Sequence, residues 1–181
     1  LPALALLVSG GHTLLARVDQ PGTLEVLATT SDDAAGECLD KTARLLGLSY
    51  PGGKALAELA SQATGPNRFI SLLPRPLLGD TSVRFSFSGL KAAVARVITQ
   101  VTSEADRANL AAAIEARVVD HLVRSTTLAL TTRGPFATLL VAGGVAANTH
   151  LRQSLEALAL KHQAEFRAPM LEYCTDNASM I

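Results

Sequence analysis

An α/β fold with a mixed sheet and flanking helices is predicted by three features of the sequence. Three short apolar runs near the N-terminus are separated by turn residues, the pattern of an antiparallel meander. From about residue 31 to 132 the apolar spacing becomes helical. A single apolar run, Thr138 to Ala142, then restores strand character, and a helix and a short strand follow it. Strands, then helices, then strand, helix and strand is the element order of an α/β protein.

Each element has a local reason. Leu4 to Val8 reads as a buried strand, and Thr13 to Val18 as the next one. Between the third strand, Thr23 to Ala28, and its predecessor lies "DQPG", where Pro presets φ and Gly accepts positive φ. Ser31 or Asp32 is placed to cap the first helix, and Gly47 to stop it. A second helix opens behind the Pro-Gly-Gly corner of "YPGGKALAELA". Residues 65 to 88 are proline-rich, show little periodicity and read mostly as loop. Ser88 is expected to cap the helix of "GLKAAVARVITQV". Ser103 and Asp106 begin a long helix to about Thr132, with Leu110, Ile114, Val118 and Leu122 on one face. After the strand Thr138 to Ala142 come Gly143 and Gly144, a helix from Asn148 to Lys161, and a short strand from Ala164 to Arg167. Asp176 stands where a further helix would start.

Composition bounds the class. Hydrophobic residues make up 48% and charged residues 18%, as in a globular chain with a real core. Lys+Arg and Asp+Glu both number 16, so overall charge gives no argument for nucleic acid, although a local patch is compatible with it. No apolar run reaches the roughly 18 residues that span a bilayer, and no secretory signal is evident. Cys38 and Cys174 form no C-x-x-C pair, and they read as small buried residues in a reducing cytoplasm.

Chemistry concentrates at two corners. "LLVSGGHT" and "LLVAGGVAAN" each carry an apolar strand into Gly-Gly. A strand-end glycine admits close approach to the backbone, and successive N–H groups there suit phosphate oxygens. Ser9, His12 and Thr13 can add side-chain hydrogen bonds at the first corner, and the helix after Asn148 offers its N-terminus at the second. Taken alone, Gly-Gly reads first as a pair of tight turns. The P-loop, G-x-G-x-x-G, G-x-S-x-G and H-E-x-x-H patterns are all absent. Among the four histidines, His121 reads as structural or solvated and His150 and His162 as exposed helix positions, leaving His12 as a weak candidate for catalysis. No covalent nucleophile stands out, because Ser86 and Ser88 read as loop and cap residues.

Five segments in one order, "LLVSGGHT", "SDDAAGECLDKTARLLGLSYPGG", "FSFSGLK", "VAGGVAAN" and "CTDNASMI", give the chain a wider likeness. From about Leu4 to Ile181 it resembles the bacterial tRNA N6-adenosine threonylcarbamoyltransferase family, formerly described as an O-sialoglycoprotein endopeptidase. The resemblance implies the actin-like ATPase fold (ribonuclease H-like), shared with sugar kinases and Hsp70. It implies transfer of threonylcarbamoyl from threonylcarbamoyl-AMP to the exocyclic amine of the adenosine beside the anticodon, in tRNAs reading codons that start with A. It also implies Leu7, Val8, Ser9, Gly10 and Gly11 at the phosphate and acyl part of the ligand, and Asp40 and Gly53 at the ribose and nucleoside. Asn148 would contact adenine or ribose, and Asp176 would ligate one divalent metal ion per subunit, iron or zinc. The implied partners are tRNA, a smaller paralogue of the same fold and a P-loop ATPase. A homodimer is left open, and no membrane is involved.

The family carries an H-x-x-x-H pair before the first corner, supplying two metal ligands, and no such pair occurs here. The chain therefore reads as a fragment of a larger protein, residues 1–181 forming mainly the second actin-like domain with a helical insertion at about 31–132. Asp176 alone falls short of the three or four ligands of a tight site. The isolated chain is accordingly expected to bind metal weakly and to lack transferase activity, and submicromolar iron or zinc binding in a calorimetric titration would refute this. Arg68, Arg75, Arg84 and Lys91, set against Asp80 as the only acid among them, read as a strip facing tRNA or as a solvated loop. Three rival readings are a metalloprotease, which lacks its motif here, a sugar kinase, and a non-catalytic nucleotide-binding scaffold using the long helix as an interface.

Overall fold

A computed structural model describes residues 1–174. Five strands form one sheet in the order β3-β2-β1-β4-β5. β1 (Ala3–Val8), β2 (Thr13–Gln20) and β3 (Thr23–Thr29) make the antiparallel meander, with Val8 opposite Thr13 at the first corner. β4 (Thr138–Ala142) joins β1 in parallel, and β5 (Glu165–Arg167) joins β4 in parallel. The sheet is therefore mixed, and β1 at its centre has a neighbour of each sense. Leu4, Leu6, Val8, Leu15 and Leu139 are buried on it.

All of α1 (Ala35–Leu45), α2 (Gly52–Ala60), α3 (Phe69–Leu72), α4 (Ser88–Val97) and α5 (Glu104–Arg133) fall between β3 and β4. α6 (Thr149–Lys161) follows β4. The stripe Leu110, Ile114, Val118 and Leu122 on α5 is buried in the core, where α5 meets α1 to α4, α6 and β1. That face is consequently unavailable as the interface a scaffold reading would require.

Residues 65–88 have little regular structure, yet α5 fixes them. Arg117 donates from Nε to the Leu73 carbonyl (3.1 Å) and Arg124 from Nη2 to that of Pro76 (2.6 Å). Ser125 donates to the Arg84 carbonyl (3.0 Å). These bonds satisfy carbonyls that no helix or strand ladder serves. Phe69, Phe85 and Phe87 anchor the same segment in the core.

Two expected caps are corrected. α1 starts at Ala35, later than Ser31 or Asp32 would place it, and its Ala35 N–H bonds the buried Thr13 hydroxyl (2.8 Å). Ser88 does not cap α4, since the helix begins with Ser88 itself. The cap comes from Asp32, whose carboxylate accepts the Phe87 N–H (2.7 Å), the Ser88 N–H (3.3 Å) and the hydroxyls of Ser86 (2.5 Å) and Ser88 (2.8 Å). Burial opposes the charge on Asp32, but these hydrogen bonds outweigh it and hold the carboxyl below its ordinary range.

Candidate functional site: the cleft beside the first glycine corner

The first corner is closed from within. Ser9 Oγ accepts the N–H groups of His12 (3.0 Å) and Gly11 (3.3 Å), and the Ser9 N–H bonds the His12 carbonyl (2.8 Å). Two amides expected to be free for phosphate are thus engaged by Ser9, and the Thr13 hydroxyl is spent on α1. Gly10, Gly11 and His12 remain exposed at the tip, with Leu7 partly and Val8 fully buried beneath them. α1 begins against this corner, its Gly36 N–H donating to the Ser9 carbonyl (3.1 Å). A Cβ on Gly36 would lie 2.7 Å from the Ser9 carbonyl carbon and 2.8 Å from the Gly10 nitrogen, so only glycine permits that approach.

The second corner lies alongside the first. β1 and β4 are hydrogen-bonded neighbours, so their ends are about one strand spacing apart, roughly 4.8 Å. Gly143, at φ +98, packs its bare Cα on the Val8 carbonyl. The two corners thus abut, side by side at one edge of the sheet.

A cleft of about 260 Å³ opens on the α1 side of that edge. Gly10, Glu37, Asp40, Arg44, Tyr50 and Gly52 help to line it. Asp40 Oδ1 accepts the Gly53 N–H (3.1 Å), which leaves the second carboxylate oxygen for a ligand hydroxyl. Gly10 of the first corner and Asp40 thus share the cleft, with Gly53 tied to Asp40 through its N–H. Asn148 stands apart from this lining, as the N-cap of α6. Its Oδ1 accepts the Leu151 N–H (2.8 Å) and its Nδ2 donates to Glu115 Oε1 (2.6 Å).

Several residues carry no ligand chemistry in this structure. Cys38 is buried, and burial pushes its thiol up to about 12. His121 is structural, as expected, accepting the Ser86 N–H at Nε2 (3.2 Å) between the edges of Phe85 and Phe87. His150 is exposed, and its Nδ1 lies 3.7 Å from Glu115. His162, expected to be exposed, is half-buried at the C-cap of α6. The four cations of the basic strip are all ion-paired. Arg68 pairs with Asp106 (3.2 Å), Arg75 with Asp120 (2.6 Å), Arg84 with Asp80, and Lys91 with Asp33 (2.9 Å). Three of those carboxylates lie outside the segment, which is why its own composition exaggerated the positive charge. No group of three His, Cys, Asp or Glu side chains is placed to hold a metal among the described residues, and Asp176 lies outside them.

The fold and its edge define a class, an actin-like ATPase-fold α/β protein with a polar cleft at the strand ends. Two solved structures share the fold. The (R)-2-hydroxyglutaryl-CoA dehydratase component A of Acidaminococcus fermentans has a TM-score of 0.52 at 21% identity, over 93% of this chain and 55% of that one. The activator of the 2-hydroxyisocaproyl-CoA dehydratase from Clostridium difficile, solved with bound ADPNP, has a TM-score of 0.55 at 15% identity, over 95% and 58%. A family profile described as tRNA N6-adenosine threonylcarbamoyltransferase matches residues 1–181, and the chain belongs to that family. Proteins of that name from Methylobacillus flagellatus and Nitrosomonas eutropha are 48% and 50% identical over 99% of this chain. The chain spans about half the length of these curated relatives, 53% and 52%. No helix among the described residues is long and apolar enough to cross a membrane.

Proposed function

We propose that the protein transfers a threonylcarbamoyl group from threonylcarbamoyl-AMP to the exocyclic amine of the adenosine beside the anticodon of tRNAs reading A-starting codons. Membership of the transferase family along the whole chain carries this reading over a protease, a sugar kinase or a scaffold. The cleft suits an adenylate. In this reading the Asp40 oxygen that Gly53 does not use takes ribose hydroxyls, and the exposed backbone at Gly10 takes the phosphate end. In the reaction the amine nitrogen bonds the carbamoyl carbon, the carbon–oxygen bond to phosphate breaks, AMP departs with the electron pair, and the amine loses a proton. The amine is a weak nucleophile, so positioning and stabilisation of charge supply the rate. His12, exposed at the corner tip, is the side chain nearest in sequence to the reacting end that can take that proton. The implied iron or zinc lacks a ligand set among the described residues. The proposal extends to tRNA, a smaller paralogue and a P-loop ATPase as cytoplasmic partners.

The test is turnover by the full-length protein and its partners with synthetic threonylcarbamoyl-AMP and tRNA, modified adenosine being read by mass spectrometry. Product is expected, and its absence with all partners present would defeat the reading. Asp40→Ala should raise the KM for the adenylate roughly tenfold or more, the value of a lost charged hydrogen bond.

A further inference from the structure

Tyr50 is 84% exposed, well beyond the other large apolar or aromatic side chains on the cleft, and it stands at the cleft mouth beside Ser49. Arg44 lines the same mouth and makes none of the ion pairs formed among the described residues. The next groove, about 320 Å³ between α1 and α4, shares Arg44 and Lys41 with the cleft and adds Lys91. Among the described residues these cations are the only charged side chains lining that groove. Lys41 and Lys91 both lean on Asp33, whose side chain is only 15% exposed, so one carboxylate beneath the surface serves two ammonium groups above it. Lys41 also reaches Glu37 on the cleft side. Arg44, which has no such pair, and two lysines paired with Asp33 and Glu37 thus line the surface that leaves the cleft past a bare aromatic ring.

We propose that Tyr50 and Arg44, with the α1–α4 groove behind them, form the docking surface for the single-stranded RNA loop that brings the acceptor adenosine to the cleft. Unstacked bases are bound on aromatic faces, and the backbone beside them on cations. Tyr50 stacks on a loop base, Arg44 takes a phosphate, and Lys41 and Lys91 flank the backbone as it runs along the groove. The inference rests on the transferase reading for the identity of the RNA, but its test reads binding and needs no turnover.

The experiment measures binding of an anticodon stem-loop RNA to full-length protein over a salt series, with AMP binding measured separately. Tyr50→Ala is expected to weaken the RNA roughly tenfold, the scale of one lost stacking contact, and to leave AMP binding unchanged. Arg44→Ala should make the log–log salt slope shallower by about 0.7, the value of one single-strand phosphate. Tyr50→Phe, which keeps the ring, should restore binding. RNA affinity and slope unchanged in both variants would overturn the proposal. So would a Tyr50→Ala defect confined to AMP, which would assign the ring to the nucleotide. Wild-type protein that binds this RNA in the expected way, yet forms no modified adenosine when threonylcarbamoyl-AMP and all partners are supplied, would leave the docking surface standing and sink the transferase reading.

Discussion

Gly143→Ala is expected to lower the stability of the folded chain by about 3 kcal/mol. The residue sits at φ +98, where an L side chain is strained, at a cost of order 1–3 kcal/mol. The added Cβ would overlap the Val8 carbonyl oxygen and lie 2.8 Å from its carbon. Both groups are backbone of adjoining strands, so neither can swing aside as a flexible side chain would, and relief requires parting the ends of β1 and β4. Overpacking of this kind costs roughly 1–3 kcal/mol more. Urea unfolding of the two proteins would measure the difference. A loss below about 0.5 kcal/mol would show that the corners do not press on each other as described. Gly144→Ala is the control, because nothing lies within 4 Å of a Cβ there.

Acidification should remove a comparable amount through one histidine. His121 is 1% exposed, and burial first, with Arg124 adding to it, pushes its pKa from the ordinary 6.5 down to about 4. The folded state therefore holds His121 neutral over a range in which the unfolded chain protonates it. The unfolded state binds more protons between about pH 6.5 and 4, so stability rises with pH across that window. The contribution is complete above pH 6.5 and is lost progressively as the pH falls towards 4. Two and a half pH units correspond to roughly 3 kcal/mol. His121→Gln should flatten the profile of stability against pH in that window, although it lowers stability at pH 7. A profile of unchanged slope in the variant would assign the acid sensitivity to other groups. Asp32 acts lower on the scale. Its depressed pKa adds stability above its unfolded value near 3.8, which disappears as the pH falls through the folded value.

The sheet was legible because strand signals are local. Alternating or continuous apolar runs bounded by "DQPG" and Gly-Gly placed four of the five strands to within about two residues, and Ala164 to Arg167 located the fifth. The long helix was equally clear from its Ser103 cap and apolar stripe. What the sequence hid were partners distant along the chain. Asp32 precedes α1 and reads as its cap, yet its carboxylate serves Phe87 and Ser88, more than fifty residues on. Thr13 looks like a ligand donor because it follows Gly-Gly-His, but β2 turns it inward under α1. The arginines of 65–88 looked unpaired because Asp106 and Asp120 lie on α5. At the cleft, the likeness of "SDDAAGECLDKTARLLGLSYPGG" to a family led to Asp40 and Gly53, while Tyr50 and Arg44 went unremarked. An aromatic before Pro-Gly-Gly and an arginine one turn beyond Asp40 were the available signals.

α5 has one further effect. A continuous helix of 30 residues is about 45 Å long, and this one touches β1 of the sheet as well as every other helix of the insertion. A beam fastened at so many points ties the insertion to the sheet. The insertion is thereby braced against the sheet along the length of one helix.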